Sequence, residues 1–192
     1  MAIIVVGGSG RGAGKTALIC GLIRALPDCP WLAVKITSHA HDVAEPVFEE
    51  TAAGQGTDTA RYLAAGAKRA LLVKAHEEAF PSLLSQVLQE LPPESHLVFE
   101  SNSVLRYLRP DLCLAVATRL KGGHKASYAM VERCMDASVA LGGHDHVISG
   151  EKIHFHLASL ERLSLPMIAW LRERMAARVR DGWSVVRRDP LP

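Results

Sequence analysis

Short, continuous runs of apolar residues recur along the chain and alternate with segments of helical periodicity. The first run covers residues 3–6 and is followed by a pair of glycines. Strands of a parallel sheet are apolar on both faces because helices cover both sides of the sheet. The pattern therefore predicts a buried parallel strand in this run and in each similar one. The similar runs are residues 32–36, 70–73, 97–99, 112–116 and 138–141.

Helix candidates lie between these runs. After Lys15, apolar residues recur at intervals of three and four positions, as in an amphipathic helix, and Pro27 ends the pattern. Strands that alternate with helices in this way indicate a doubly wound α/β fold with a mainly parallel sheet. Ligands of such folds bind at the carboxyl ends of the strands. Further helices are predicted near residues 58–66, 81–91, 125–135 and 164–182.

The candidate chemistry is concentrated in the turn after the first predicted strand. Residues 7–16 read Gly-Gly-Ser-Gly-Arg-Gly-Ala-Gly-Lys-Thr and lead into the first predicted helix. Glycines let successive backbone N–H groups turn inward, and the helix adds unpaired N–H groups and its positive dipole end. In such a turn Lys15 reaches the β- and γ-phosphates, and the Thr16 hydroxyl ligates Mg²⁺. The turn predicts a P-loop NTPase fold that binds a nucleoside triphosphate, GTP or ATP, with Mg²⁺.

The loop departs from the strict GxxxxGK[ST] pattern at one position. Ser9 stands where the pattern has glycine, and Gly8 and Gly10 flank it. The loop is therefore either one residue longer, from Gly8, or tolerates a serine at this place. Arg11 projects from the loop, either towards a phosphate or into solvent. The residues predicted to bind the nucleotide here are Ser9, Gly10, Arg11, Gly12, Ala13, Gly14, Lys15, Thr16 and Ala17.

A magnesium–triphosphate site also requires a carboxylate. Glu100 ends the predicted strand at residues 96–100, where an acid beside the loop would face the phosphates. Asp42 is the second candidate, because loops at strand ends sense the γ-phosphate. Asp58 is a third, unless it caps the next helix. We predict Lys15, Glu100 and Asp42 as catalytic residues, and Thr16, Glu100 and Asp42 as magnesium ligands.

Histidines occur in three His-x-His pairs. Residues i and i+2 of a strand share a face and could grip a metal, but no cysteine or clear carboxylate completes a ligand set. A polar strand face or a turn is the plainer interpretation of these pairs. We predict that the first pair, His39 and His41, contacts the nucleotide or the substrate. The other pairs are His144 with His146 and His154 with His156.

Residues 143–163 interrupt the alternation of strands and helices. Apolar residues alternate with histidines over residues 153–157, which predicts a short strand with two different faces. The segment is expected to be irregular or to form a hairpin that turns at Gly150. We predict a single P-loop nucleotide-binding domain over residues 1–192, with residues 143–163 as an insertion and residues 164–182 as a C-terminal helix.

Composition and charge narrow the class of protein. The 192 residues include 22 basic and 20 acidic ones, a balance that does not favour nucleic-acid binding. No apolar run is long enough to cross a bilayer, and the N-terminus resembles a core strand more than a signal peptide, so a cytoplasmic protein is expected. The four cysteines lack CxxC spacing, and free thiols in a reducing compartment are the expected state.

The order of motifs resembles the molybdopterin-guanine dinucleotide biosynthesis protein B family. The resemblance covers roughly residues 1–118. It implies GTP binding, weak hydrolysis, a homodimer and an adaptor role, with a partner protein, in attaching the nucleotide to molybdopterin. The matching pieces are Gly-Ala-Gly-Lys-Thr at 12–16, Val34-Lys35 leading into His39, His41 and Asp42, Asp58-Thr59-Ala60-Arg61, Ala65-Gly66-Ala67 with the strand at 70–73, and the strand that ends at Glu100.

The chain departs from that family in two places. Glu100-Ser101-Asn102 replaces the acid–glycine pair of the family, and no Asn-Lys-x-Asp motif selects guanine. GTP is thus implied by the resemblance alone, and ATP stays open. The alternative is a small-molecule kinase or ATP-dependent ligase like dethiobiotin synthetase. Its substrate pocket would be built from His39, His41, Lys35, Ser101 and Asn102, with the Lys35 ammonium stabilising the charge on a transferring phosphoryl group.

Overall fold

The computed structural model describes residues 1–38, 45–117, 127–142, 147–149 and 152–179. Several predicted site residues lie outside this part of the chain, so their roles stay predictions. They are His39, His41, Asp42, His144 and His146.

Strands and helices alternate through the described residues. The strands are β1 (Ile3–Gly8), β2 (Trp31–Ser38), β3 (Val47–Glu49), β4 (Arg69–Ala75), β5 (His96–Glu100), β6 (Leu112–Ala117), β7 (Ala137–Leu141), β8 (Val147–Ser149) and β9 (Lys152–Leu157). The helices are α1 (Lys15–Ala25), α2 (Asp58–Ala65), α3 (Phe80–Gln89), α4 (Tyr128–Cys134) and α5 (Leu165–Val179). Two short 3₁₀ turns span Glu77–Ala79 and Ser103–Arg106.

All described strands form one sheet in the order β3-β4-β2-β5-β1-β6-β7-β9-β8. The edge strands β3 and β8 pair antiparallel to their neighbours, and every other described pairing is parallel. β1 lies in the middle, between β5 and β6. The turn after β1 therefore opens at the point where the strand order changes direction, the usual position of a ligand in such sheets.

Helices cover both faces of the sheet, which explains the continuous apolar runs. Along β1, Ile4 and Val6 pack on one face with residues of α1, α2 and α5. Ile3 and Val5 pack on the other face with residues of α3 and α4. The predicted doubly wound α/β fold is confirmed, and the strand–loop–helix unit at its centre gives it the P-loop NTPase arrangement.

Some elements differ from the predictions. β3 was not predicted, because Val47–Glu49 is three residues long and too short to show an alternating pattern. The helix predicted near residues 81–91 spans Phe80–Gln89, with a proline in its first turn. β8 and β9 lie on either side of Gly150 and pair antiparallel, while β9 also pairs parallel with β7.

None of the described helices is both long enough and apolar enough to cross a bilayer.

The segment between β9 and α5 packs closely against α1. A Cβ atom added to Gly21, in the middle of α1, would lie 2.3 Å from the backbone oxygen of Leu160. A Cβ added to Gly14 would lie 2.3 Å from the Leu160 side chain, which is 6% exposed. Arg24 of α1 also donates a hydrogen bond to Glu161, at 2.8 Å. The connection after β9 thus packs on the helix that follows the glycine-rich loop.

Gly21→Ala is expected to destabilise the protein although alanine is the better helix former. The new methyl group would meet a backbone oxygen, which cannot move without shifting the connection, and overpacking of this kind costs about 1–3 kcal/mol. Urea unfolding measures the effect. Gly54→Ala is the control, because a Cβ there meets nothing within 4 Å. Equal stability of Gly21→Ala and the wild type would contradict the close packing of Leu160 on α1.

Candidate nucleotide-binding site

The loop from Ser9 to Gly14 joins β1 to α1, and its glycines are required by its conformation. Gly12 has a φ of 77° and Gly14 a φ of 93°, both in the left-handed region that favours glycine. Gly14 is the N-cap of α1 and provides no side-chain cap, and the first turn of α1 holds no acid. The first N–H groups of α1 and its positive dipole end therefore face the loop without a capping side chain or a neighbouring carboxylate in that turn.

Lys15, the first residue of α1, folds back across the loop. Its ammonium donates a hydrogen bond to the Gly10 carbonyl oxygen at 3.0 Å. This contact holds the positive charge over the loop, where the phosphates of a nucleotide would lie. A backbone carbonyl is a neutral partner, so a phosphate can replace it with a stronger, charge-assisted bond.

Glu100 ends β5 and lies directly beside the loop. Parallel pairing places Glu100 opposite Val6 of β1 and opposite Lys35 of β2. Its carboxylate accepts a hydrogen bond from the Thr16 hydroxyl at 2.7 Å and one from the Lys35 ammonium at 3.1 Å. Glu100 is only 7% exposed, so these partners compensate a nearly buried charge.

Lys35 bridges Glu100 to Asp58, the first residue of α2. Burial alone would lower the pKa of Lys35, but the charges of Glu100 and Asp58 and the hydrogen bonds to them raise it. Burial would likewise raise the pKa of Asp58, but the hydrogen bond and charge of Lys35, with smaller contributions from Thr16 and Arg61, lower it. The Lys35 ammonium and the Asp58 carboxylate therefore each favour the charged form of the other.

The hydrogen bonds at the start of α2 show that Thr57, and not Asp58, caps this helix. The N-cap is Thr57, whose hydroxyl accepts a hydrogen bond from the Ala60 N–H at 3.0 Å. Asp58 does not cap the helix and is instead directed at Lys35. Of the three carboxylates considered from the sequence, the structure brings Glu100 and Asp58 together beside Thr16, and Asp42 lies outside the described residues.

Tyr62 belongs to this cluster and was not predicted. Its hydroxyl donates a hydrogen bond to Glu100, and its side chain is fully buried. Burial, followed by the Glu100 charge, raises the pKa of Tyr62 well above its ordinary value. An inward-facing tyrosine in a helical pattern is typical of a core residue. Its one sequence signal was its position four residues after Asp58, on the same face of α2.

Ser101 and Asn102, predicted for the pocket of a kinase or ligase, form hydrogen bonds with the backbone. The Asn102 side chain accepts from the Gly8 N–H and donates to the Gly8 carbonyl, both at 2.9 Å. The Ser101 hydroxyl accepts a hydrogen bond from the Val104 N–H at 3.2 Å. Asn102 therefore fixes the end of β1 where the glycine-rich loop begins.

A cleft of about 430 Å³ lies next to Lys35 and Asp58. Its floor comes from β2 and β4, where Lys35 pairs with Leu72 and Thr37 pairs with Lys74. Its wall is formed by the chain at residues 55–59 and by Arg61, around the start of α2. Lys35, predicted for a substrate pocket, lines this cleft, whereas Ser101 and Asn102 are not among its lining residues.

The oxygen donors beside the loop suit a magnesium ion. Mg²⁺ prefers one or two carboxylates, and it keeps its remaining positions for water and phosphate oxygens. The Thr16 hydroxyl, Glu100 and Asp58 provide such donors within one cluster. Among the residues that the structure describes, no group of three or more histidines, cysteines or acids is placed to hold a metal by itself. The donor set thus fits an ion that arrives with a nucleotide.

Comparisons with known proteins identify no family for this chain. No protein-family model matches the chain, and no curated protein matches it. A solved structure of LpxK from Aquifex aeolicus, an "apo" form in complex with ATP, is similar with 20% sequence identity and a TM-score of 0.46. The match covers 73% of this chain and 48% of the LpxK chain, so this chain spans about half of that protein.

Proposed function

We propose that this protein binds a nucleoside triphosphate with Mg²⁺ at the loop of residues 9–16 and acts on its γ-phosphate. The observation that carries the proposal is the cluster of Thr16, Glu100, Lys35 and Asp58 at the mouth of the glycine-rich loop. A glycine-rich turn without function would not require two carboxylates and an ammonium to meet beside the first turn of its helix.

Each residue has a definite role in the proposed site. The backbone N–H groups of the loop and of α1 bind the phosphate oxygens. Ser9, Arg11, Ala13 and Ala17 contribute their backbone groups or border the bound phosphates. Lys15 exchanges the Gly10 carbonyl for the β- and γ-phosphates. Thr16 and Glu100 would hold Mg²⁺, which supplies positive charge to the phosphate oxygens when bound.

Lys35 and Asp58 are suited to the transfer step, because both line the cleft beside the loop. An acceptor oxygen forms a bond to the γ-phosphorus while the bond from phosphorus to the β–γ bridging oxygen breaks. The electron pair of that bond leaves with the nucleoside diphosphate, and the acceptor proton passes to the ionised Asp58. The Lys35 ammonium stabilises the negative charge of the transferring group. With water as acceptor, the same step is hydrolysis.

Two biological roles are compatible with this chemistry. A GTP-binding adaptor in molybdenum cofactor biosynthesis, weakly hydrolytic, homodimeric and acting with a partner protein, is supported by the resemblance of residues 1–118 alone. Transfer to a small molecule, as in a kinase or ATP-dependent ligase, is favoured by the cleft beside Lys35 and Asp58. Asp42, His39 and His41 are proposed to join the site in either role.

Lys15→Ala is expected to abolish triphosphate binding without unfolding the protein, because the Lys15 ammonium donates to a carbonyl of the loop. Calorimetry with Mg-ATP and Mg-GTP measures the affinity and shows which base is preferred. A ligand at 100 times its Kd stabilises the wild type by about 2.7 kcal/mol, and this gain should vanish in the variant. Lys68→Ala, at an exposed position before β4, is the control. Full affinity in Lys15→Ala would refute the proposed site.

Measurements of nucleotide turnover distinguish the adaptor role from the phosphoryl-transfer role. Under the adaptor role, protein with Mg-GTP or Mg-ATP alone hydrolyses slowly, and a pool of small metabolites does not increase nucleoside diphosphate release. Under the transfer role, the pool increases release and labelled γ-phosphate appears in a metabolite. We expect the second result, since the cleft adjoins the phosphate loop, and a rate unchanged by the pool would favour the adaptor.

A further inference from the structure

The cleft beside the phosphate loop carries a cation that the proposed transfer chemistry does not use. Lys35, Arg61 and Lys74 line it, together with a single carboxylate, Asp58. Lys35 is paired with Asp58 and Glu100, and Arg61 is paired with Glu161 at 2.9 Å. Two of the three cations are thus matched by carboxylates.

Lys74 differs from the other two. It lies near the carboxyl end of β4, opposite Thr37 of β2, and it is half-buried. Among the residues that the structure describes, none forms a hydrogen bond or an ion pair with its ammonium. In this part of the chain Lys74 is thus the lysine of the cleft whose ammonium is left to pair with an anion that enters it. The cleft is therefore complementary to an anion at its Lys74 end.

The position and size of the cleft indicate the kind of molecule that carries the anion. Lys35 and Lys74 lie on the same face of neighbouring strands, with Lys35 at the end nearer to Glu100 and Thr16. A volume of about 430 Å³ is in the range of pockets that enclose a metabolite. The wall is held in place by Glu50, which accepts hydrogen bonds from the hydroxyls of Thr57 and Thr59 at 2.9 and 3.1 Å.

We propose that this cleft is the acceptor subsite and binds a small molecule through a carboxylate or phosphate group at Lys74, with its reacting group beside Lys35 and Asp58. The proposal rests on the proposed function, since the cleft is defined as an acceptor subsite by the phosphate loop next to it. The two sources of the anion, a carboxylated and a phosphorylated acceptor, are separated by experiment.

The test uses the full chain with its phosphate loop saturated by Mg²⁺ and the β,γ-imido analogue of ATP or GTP, so that a second anion cannot bind at the loop. Calorimetry then follows the addition of succinate or of inorganic phosphate. We expect one of them to bind the wild type. Binding should weaken at least about tenfold in Lys74→Met, which keeps the length of the side chain without its charge. The preferred anion identifies the chemical class of the acceptor.

Two matched variants complete the test. Lys74→Arg keeps the charge and should retain binding within about threefold. Lys68→Met removes an exposed lysine six residues earlier, at the opposite end of β4, and should behave as the wild type. Analogue binding without binding of either anion, or equal anion affinity in Lys74→Met, would overturn the acceptor subsite alone. A chain that fails to bind the analogue would overturn the proposed function and this proposal with it.

Discussion

The nearly buried charge of Glu100 is the constraint on which the site depends. A charge that loses its partner inside a protein costs about 3–5 kcal/mol, so the elements around Glu100 must supply donors together. Thr16 comes from α1, Lys35 from β2 and Tyr62 from α2. One carboxylate at the end of a central strand therefore fixes the relative positions of two helices and two strands, and it does so beside the glycine-rich loop.

The same network explains why the site is charged and ready for a ligand. The Lys35 ammonium lies between the carboxylates of Asp58 and Glu100, and Lys35 and Asp58 each favour the charged form of the other. A magnesium–nucleotide complex brings both a cation for the carboxylates and phosphate oxygens for Lys15 and Lys35. Binding would thus exchange internal partners for external ones without leaving a buried charge unpaired, which is how a preorganised site limits the cost of desolvation.

Much of the framework was predictable, because its signals are local in the sequence. The apolar runs identified the central strands, and the glycines with Lys15 and Thr16 identified the loop. The contact between Lys35 and Glu100 could not be predicted from the sequence pattern, since it depends on the position of β5 between β1 and β2. Tyr62 was missed because its inward position is typical of a core residue. The hydrogen bonds between the Asn102 amide and the N–H and carbonyl of Gly8 were not predicted either, because Asn102 and Gly8 are far apart in the sequence.

The most direct measurement is the Mg²⁺ dependence of nucleotide affinity in Glu100→Gln, with circular dichroism to verify folding. The amide preserves the size of the side chain and its hydrogen-bond acceptor but removes the charge that the account assigns to the ion. Mg²⁺ should raise nucleotide affinity about 10- to 100-fold less in this variant than in the wild type. Glu161→Gln, which alters an acid that pairs with Arg24 and Arg61, should keep the full dependence. A folded Glu100→Gln with the Mg²⁺ dependence of the wild type would contradict the account.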